Sequence, residues 1–87
     1  MGHRVELGEI EACACGLDGV ESACCLFDKE SSRLTLYYMG TAAEAELRAY
    51  LRRELPRYMI PSALHRMDAL PMLPNGKIDR KALSENG

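Results

Sequence analysis

Leu7, Ile10, Ala14 and Leu17 recur at the spacing of one helix face, so residues 6–16 predict a first helix with Gly16 as its C-terminal cap. After a short turn, VESACCLFD (20–28) is apolar and opens on a β-branched valine, which predicts a buried strand. RLTLYYMG (33–40) alternates Leu34, Leu36 and Tyr38 with Thr35, Tyr37 and Met39. That period of two predicts a second strand, paired with the first as a hairpin across KESS. Thr41 and Glu44 have the spacing of a capping box, predicting a helix over 42–55 whose inner face is Leu47, Tyr50, Leu51 and Leu55. Pro56 stops it, because a residue before proline is pushed out of the helical region. Pro61 starts a third strand over 62–67. Pro71 and Pro74 bracket an extended segment and a turn with Asn75-Gly76 at its tip, and Asp79 is placed to cap a last short helix, RKALSE.

Helix, strand, strand, helix, strand, short helix is an α+β order: helices packed on a small, mainly antiparallel three-stranded sheet. At 87 residues the chain is expected to form one small domain. A net charge of −2 argues against nucleic acid as a partner. No apolar run approaches the roughly 20 residues that a membrane-spanning helix needs, so a soluble cytoplasmic protein is the default expectation. Cys13, Cys15, Cys24 and Cys25 are spaced C-x-C and C-C, unlike the paired C-x-x-C of zinc sites, and neighbouring Cys24 and Cys25 on a strand point to opposite faces. All four are expected to be small buried hydrophobes, with no metal site.

The cations are uneven. Arg48, Arg52, Arg53 and Arg57 crowd the second helix and its end, either as a solvated face or as a docking surface. Lys77 follows Asn75-Gly76 at a turn tip. A turn tip is a poor place for a packing residue but suits a charge that must reach into another body; composition alone leaves an ordinary exposed lysine open.

Three stretches bear on that choice. GHRVELGEIE (2–11) resembles the G-x-R-[IV]-E-x-x-E-I-E stretch of the AMP-forming adenylating enzymes. LPRYMIP (55–61) resembles their L-P-x-Y-M-[IV]-P, and LPMLPNGKIDRKAL (70–83) resembles their last core motif, L-P-x-x-x-N-G-K-[VI]-D-R-x-A-L. Together they run in the family's order over nearly the whole chain. PNGKIDRKAL is more similar to the amino-acid-activating domains of nonribosomal peptide synthetases and to D-alanine–carrier-protein ligases than to acyl-CoA synthetases, although Leu73 stands where threonine is frequent.

The resemblance implies that residues 1–87 are the small mobile C-terminal lid of such an enzyme, with the N-terminal core outside this sequence. It implies ATP and Mg2+, bound mainly by that core, and the phosphopantetheine of an acyl or peptidyl carrier protein as acceptor. Lys77 takes the place of the lysine that acts in adenylation and meets the ATP phosphates. Gly2 and Arg4 belong to the stretch that turns toward the pantetheine arm in the second half-reaction. Asp79 and Arg80 are expected to hold the lysine loop, while Tyr58, Pro61 and Pro71 set chain direction. The alternatives are a non-catalytic docking module for a core domain or carrier protein, or the lid of an acyl-CoA synthetase.

Overall fold

In the computed structural model, residues 6–28 and 30–86 are described, and three strands organise them. β1 (Val20–Asp28) and β2 (Arg33–Gly40) form the expected hairpin, antiparallel from Val20↔Gly40 to Asp28↔Arg33. The connecting turn is held by Asp28, whose carboxylate accepts the Glu30 N–H at 3.1 Å and the Ser31 hydroxyl at 2.8 Å. β3 (Ala63–Met67) lies on the other side of β2 and runs parallel to it, from Thr35↔Ala63 to Met39↔Met67. The sheet is therefore mixed, in the order β1-β2-β3. A parallel neighbour needs a crossover, and α2 (Glu44–Glu54) supplies it.

The alternation in β2 decides which layer each side chain enters. Leu34, Leu36 and Tyr38 face a core shared with Ile10 and Ala14 of α1 (Leu7–Ala14) and with Leu47 and Leu51 of α2. Tyr37 and Met39 face the opposite side, where they pack around Cys24, Leu70 and Leu83. Both faces of the sheet are thus covered, one by α1 and α2, the other by the chain after β3 and by α3 (Arg80–Asn86). Cys24 and Cys25 are accordingly both buried, in different layers. Leu36 and Tyr38 are fully enclosed, and each such side chain contributes about 1.5–3 kcal/mol by leaving water.

Three local expectations fail for definable reasons. α2 begins at Glu44 with Ala43 as its N-cap and no side-chain cap, so Thr41 and Glu44 make no capping box. Residue 42 is already tied to the sheet: its N–H donates to the Gly19 carbonyl at 3.0 Å, and its carbonyl accepts the Tyr38 hydroxyl at 2.7 Å. Glu44 turns instead to β3, where it accepts the Arg66 N–H at 3.3 Å. Gly16 is not a left-handed cap either: it follows the C-cap Cys15, but its φ is not positive. What Gly16 provides is room: a Cβ there would stand 2.7 Å from the Tyr50 hydroxyl. Finally, Cys15 is exposed and Cys13 half-buried: Ile10 and Ala14 are the fully buried positions of α1, Cys13 packs at the edge of that core, and Cys15 lies past the helix end.

Leu55 closes α2 in extended geometry (φ −118°, ψ 151°) before Pro56, as the pre-proline restriction requires. A short 3-10 turn (Arg57–Met59) then leads to the buried Pro61. Among the described residues, no helix is long and apolar enough to cross a membrane.

Candidate functional site

The segment after β3 folds back on itself as a small hairpin. Met72 and Ile78 form an antiparallel bridge, and the Asp79 N–H donates to the Pro71 carbonyl at 2.8 Å below it. Above it, the Leu73 N–H donates to Lys77 O at 2.7 Å and the Gly76 N–H to Leu73 O at 2.9 Å. Pro74 stands second in this turn and Gly76 last, with φ at +88°, the pattern of a type I turn closed by a left-handed glycine. Asn75 tightens the tip, its side-chain oxygen accepting the Lys77 N–H at 3.1 Å. The fixed φ of proline, the side chain of asparagine and the freedom of glycine each act at the one position that needs them.

Lys77 leaves this tip exposed, and among the described residues its ammonium has no hydrogen-bond or ion-pair partner. Beside it lies a groove of about 440 Å3, lined among others by Ser22, Met72, Ile78, Glu11 and Arg80. Met72 and Leu73 are exposed large apolar residues next to the cation.

The base of the hairpin is clamped. Asp79 caps α3 as its position suggested: its carboxylate accepts the Ala82 N–H at 3.1 Å, and its carbonyl the Leu83 N–H at 3.3 Å. Leu83 is buried and fastens α3 to the sheet. Arg80 reaches away from the helix. Its Nη1 stands 2.8 Å from Glu11 Oε2 and its Nη2 donates to Glu11 Oε1 at 3.0 Å. The same Nη1 donates to the Cys25 carbonyl and to Cys24 Sγ, both at 3.3 Å. Glu11 Oε2 in turn accepts the Cys25 N–H at 2.7 Å. The Glu11 hydrogen bond pushes the Arg80 guanidinium further above its usual range. With Arg80 half exposed, the pair contributes only about 0–1 kcal/mol to stability, and its main effect is directional.

Burial, with Glu11 and Cys24 alongside, pushes the Cys25 thiol up to about 12, against the opposing pull of Arg80. Cys24 is raised too, chiefly by burial. Neither thiol has thiolate character near neutral pH.

Of the residues singled out from the sequence, Lys77, Asp79 and Arg80 come together in this hairpin and its base. Gly2 and Arg4 lie outside the described residues. Tyr58 is 43% exposed, Pro61 is enclosed, and Pro71 gives its carbonyl to the base of the hairpin. Arg52, Arg53 and Arg57 are exposed, with Arg53 5.9 Å from the Tyr50 ring centre. Sequence reasoning missed Glu11. It stands within the first quoted stretch but reads there as one more exposed helix position, and its partner is 69 residues away.

The AMP-binding enzyme C-terminal domain family matches residues 9–77. The chain belongs to that family. It is 48% identical to tyrocidine synthase 2 of Brevibacillus parabrevis over 87 residues, covering 94% of this chain and 2% of that protein. It is 46% identical to the dimodular nonribosomal peptide synthase of Bacillus subtilis (strain 168), again over 94% of this chain and 4% of the relative. The chain thus spans only a few per cent of these relatives' length. Among solved structures it is similar to a four-domain nonribosomal peptide synthetase bound to AMP and glycine, at 41% identity and a TM-score of 0.81 over 93% of this chain and 6% of that one. A fatty acyl CoA synthetase of Mycobacterium tuberculosis shares the fold, at 26% identity and a TM-score of 0.83 over 98% of this chain and 18% of that one. The α+β architecture expected from the order of elements is therefore the one observed, and it is that of the C-terminal subdomain of these enzymes.

Proposed function

We propose that this family member is the C-terminal lid of an ATP-dependent, AMP-forming amino-acid adenylation domain, and that Lys77 is the cation it delivers. In the reaction a carboxylate oxygen attacks the α-phosphorus of ATP, the bond to the β-phosphate oxygen breaks, and pyrophosphate leaves as acyl-AMP forms. Two anions must approach, and charge builds on the phosphorus oxygens. A lysine ammonium is a compact charge on a long stem, suited to bridging the carboxylate and a phosphate oxygen. The observation that carries the reading is an exposed, unpaired ammonium at the tip of a hairpin closed by backbone hydrogen bonds. Such a group is preorganised for a partner body and has no competing partner within the described residues.

The acyl group then passes to the phosphopantetheine thiol of a carrier protein: the thiolate attacks the acyl carbon, the thioester forms and AMP leaves. A lid of this size withdraws Lys77 between the two steps by rotating as one body on the core domain. Gly2 and Arg4 belong to the stretch assigned to the pantetheine arm in this scheme. Mg2+ would be held mainly by the core domain in this scheme, beside the ATP phosphates.

The test is pyrophosphate exchange by an adenylation core supplied with this chain. Lys77→Ala is expected to lower exchange about 10²–10³-fold, the usual effect of removing one preorganised donor. Equal exchange by both lids, with equal thermal stability, refutes the role of Lys77. A second reading, a docking surface for an acidic carrier protein, is favoured by the exposure of Arg52, Arg53 and Arg57. It predicts carrier binding that weakens with salt, is lost on Arg52→Glu with Arg53→Glu, and is untouched by Lys77→Ala.

A further inference from the structure

We infer that Glu11 is a positioning residue for Lys77: through Arg80 it fixes the direction in which the hairpin presents the ammonium. The inference rests on the adenylation reading of Lys77. Its ground is a closed ring of contacts between parts of the chain remote in sequence. One Glu11 oxygen receives both the Cys25 N–H at 2.7 Å and Arg80 Nη1 at 2.8 Å, and the other receives Arg80 Nη2 at 3.0 Å. Arg80 completes the ring by donating to the carbonyl of the same Cys25 at 3.3 Å. A two-pronged carboxylate–guanidinium pair fixes orientation as well as distance, and here it is referenced to the backbone of a fully buried strand residue.

From Arg80 to Lys77 there is little slack. Asp79 is bonded to Pro71 and Ile78 is bridged to Met72, so a guanidinium held on β1 holds the root of the hairpin as well. Glu11 itself sits on α1, so the helix that opens the described chain and the hairpin near its end meet on one strand. A lid that rotates about a hinge carries its lysine to the right place only if the two move as one body. Without Glu11 the guanidinium loses both prongs, and the hairpin can pivot about residues 79–80. Misplacement of a reacting group by about 1 Å can cost on the order of 10²-fold in rate.

The experiment is a double-mutant cycle read by pyrophosphate exchange, in a synthetase whose own C-terminal lid is replaced by this chain. Glu11→Gln keeps an acceptor for the Cys25 N–H but removes the charge and one prong, and Glu11→Ala removes both. Expected are about 3–10-fold and 10–100-fold losses in kcat with the KM for the amino acid unchanged, because Lys77 is placed by the clamp while that substrate's pocket is not. On the Lys77→Ala background, Glu11→Ala should add less than a twofold loss, since its effect runs through an ammonium already removed. Losses of the same size in both backgrounds overturn the inference, because they mark a merely structural role. Unchanged exchange with Glu11→Ala overturns it as well. If Lys77→Ala alone leaves exchange unchanged, the adenylation reading falls and takes this inference with it, an outcome distinct from the other two.

Discussion

Gly8 and Gly76 both sit in open space, with nothing within 4 Å of the position a Cβ would take. Their backbones differ. Gly8 lies in α1, whereas Gly76 has φ at +88° in the turn that carries Lys77. The same added methyl group should therefore change stability in opposite directions. In a helix, alanine removes the entropic cost of glycine, a gain of about 0.5–1 kcal/mol. At a left-handed position it adds a clash between Cβ and the following carbonyl, a cost of about 1–2 kcal/mol. Gly8→Ala and Gly76→Ala should then differ by about 1.5–3 kcal/mol, with the wild type between them. A domain of this size is stable by roughly 0.05–0.15 kcal/mol per residue, so the difference is a large fraction of the whole. Urea unfolding followed by circular dichroism reads it: with a slope of about 1–3 kcal/mol/M, the two midpoints should stand roughly 1 M apart. Gly76 N–H and Lys77 O close the turn, so part of the strain at 76 should appear as a displaced lysine and slower pyrophosphate exchange. Equal midpoints for the two variants, or a Gly76→Ala chain as stable as wild type, would refute the claim that backbone conformation and not space requires glycine at the tip.

Gly40 is the opposite case. A Cβ there would lie 2.0 Å from the Gly19 carbonyl oxygen, and φ is +146°. Gly40→Ala should cost about 2–6 kcal/mol from overpacking and backbone strain together, and a urea-measured loss below about 1 kcal/mol would contradict the packing of β1 on β2. The buried Cys25 thiol makes stability sensitive to base. Its value is raised from 9.0 to about 12, so its contribution is fully present below pH 9 and is lost as the pH climbs toward 12, with Cys24 and Tyr38 shifted in the same direction. Urea midpoints should fall steadily from pH 9 upward, and a flat profile would contradict the burial. Below that range a thiol reagent should label the exposed Cys15 while Cys24 and Cys25 stay silent until the chain unfolds.

Much of this was legible in the order of residues, because it depends on neighbours in sequence. The period of two along β2 sorted Leu34, Leu36 and Tyr38 from Tyr37 and Met39, and the structure puts the two sets in different layers. Pro74, Asn75 and Gly76 marked the turn through their own backbone preferences, and Asp79 marked the cap of α3. Lys77 at the tip could be named because a motif of consecutive residues encodes both the turn and the charge upon it. The capping box at Thr41 and Glu44 misled because a local pattern was overruled from outside, by Gly19 and Tyr38 holding residue 42 to the sheet.

What only the tertiary structure decided is what depends on distant pairs. No local pattern says that β3 runs parallel to β2, that Gly16 makes room for Tyr50, or that Glu11 grips Arg80 across 69 positions and returns both to the backbone of Cys25. Periodicity, turn chemistry and caps act over a few residues and can be read along the chain. An ion pair between two motifs has an energy set by distance in space, which the chain acquires only once α1, β1 and the lysine hairpin have packed together.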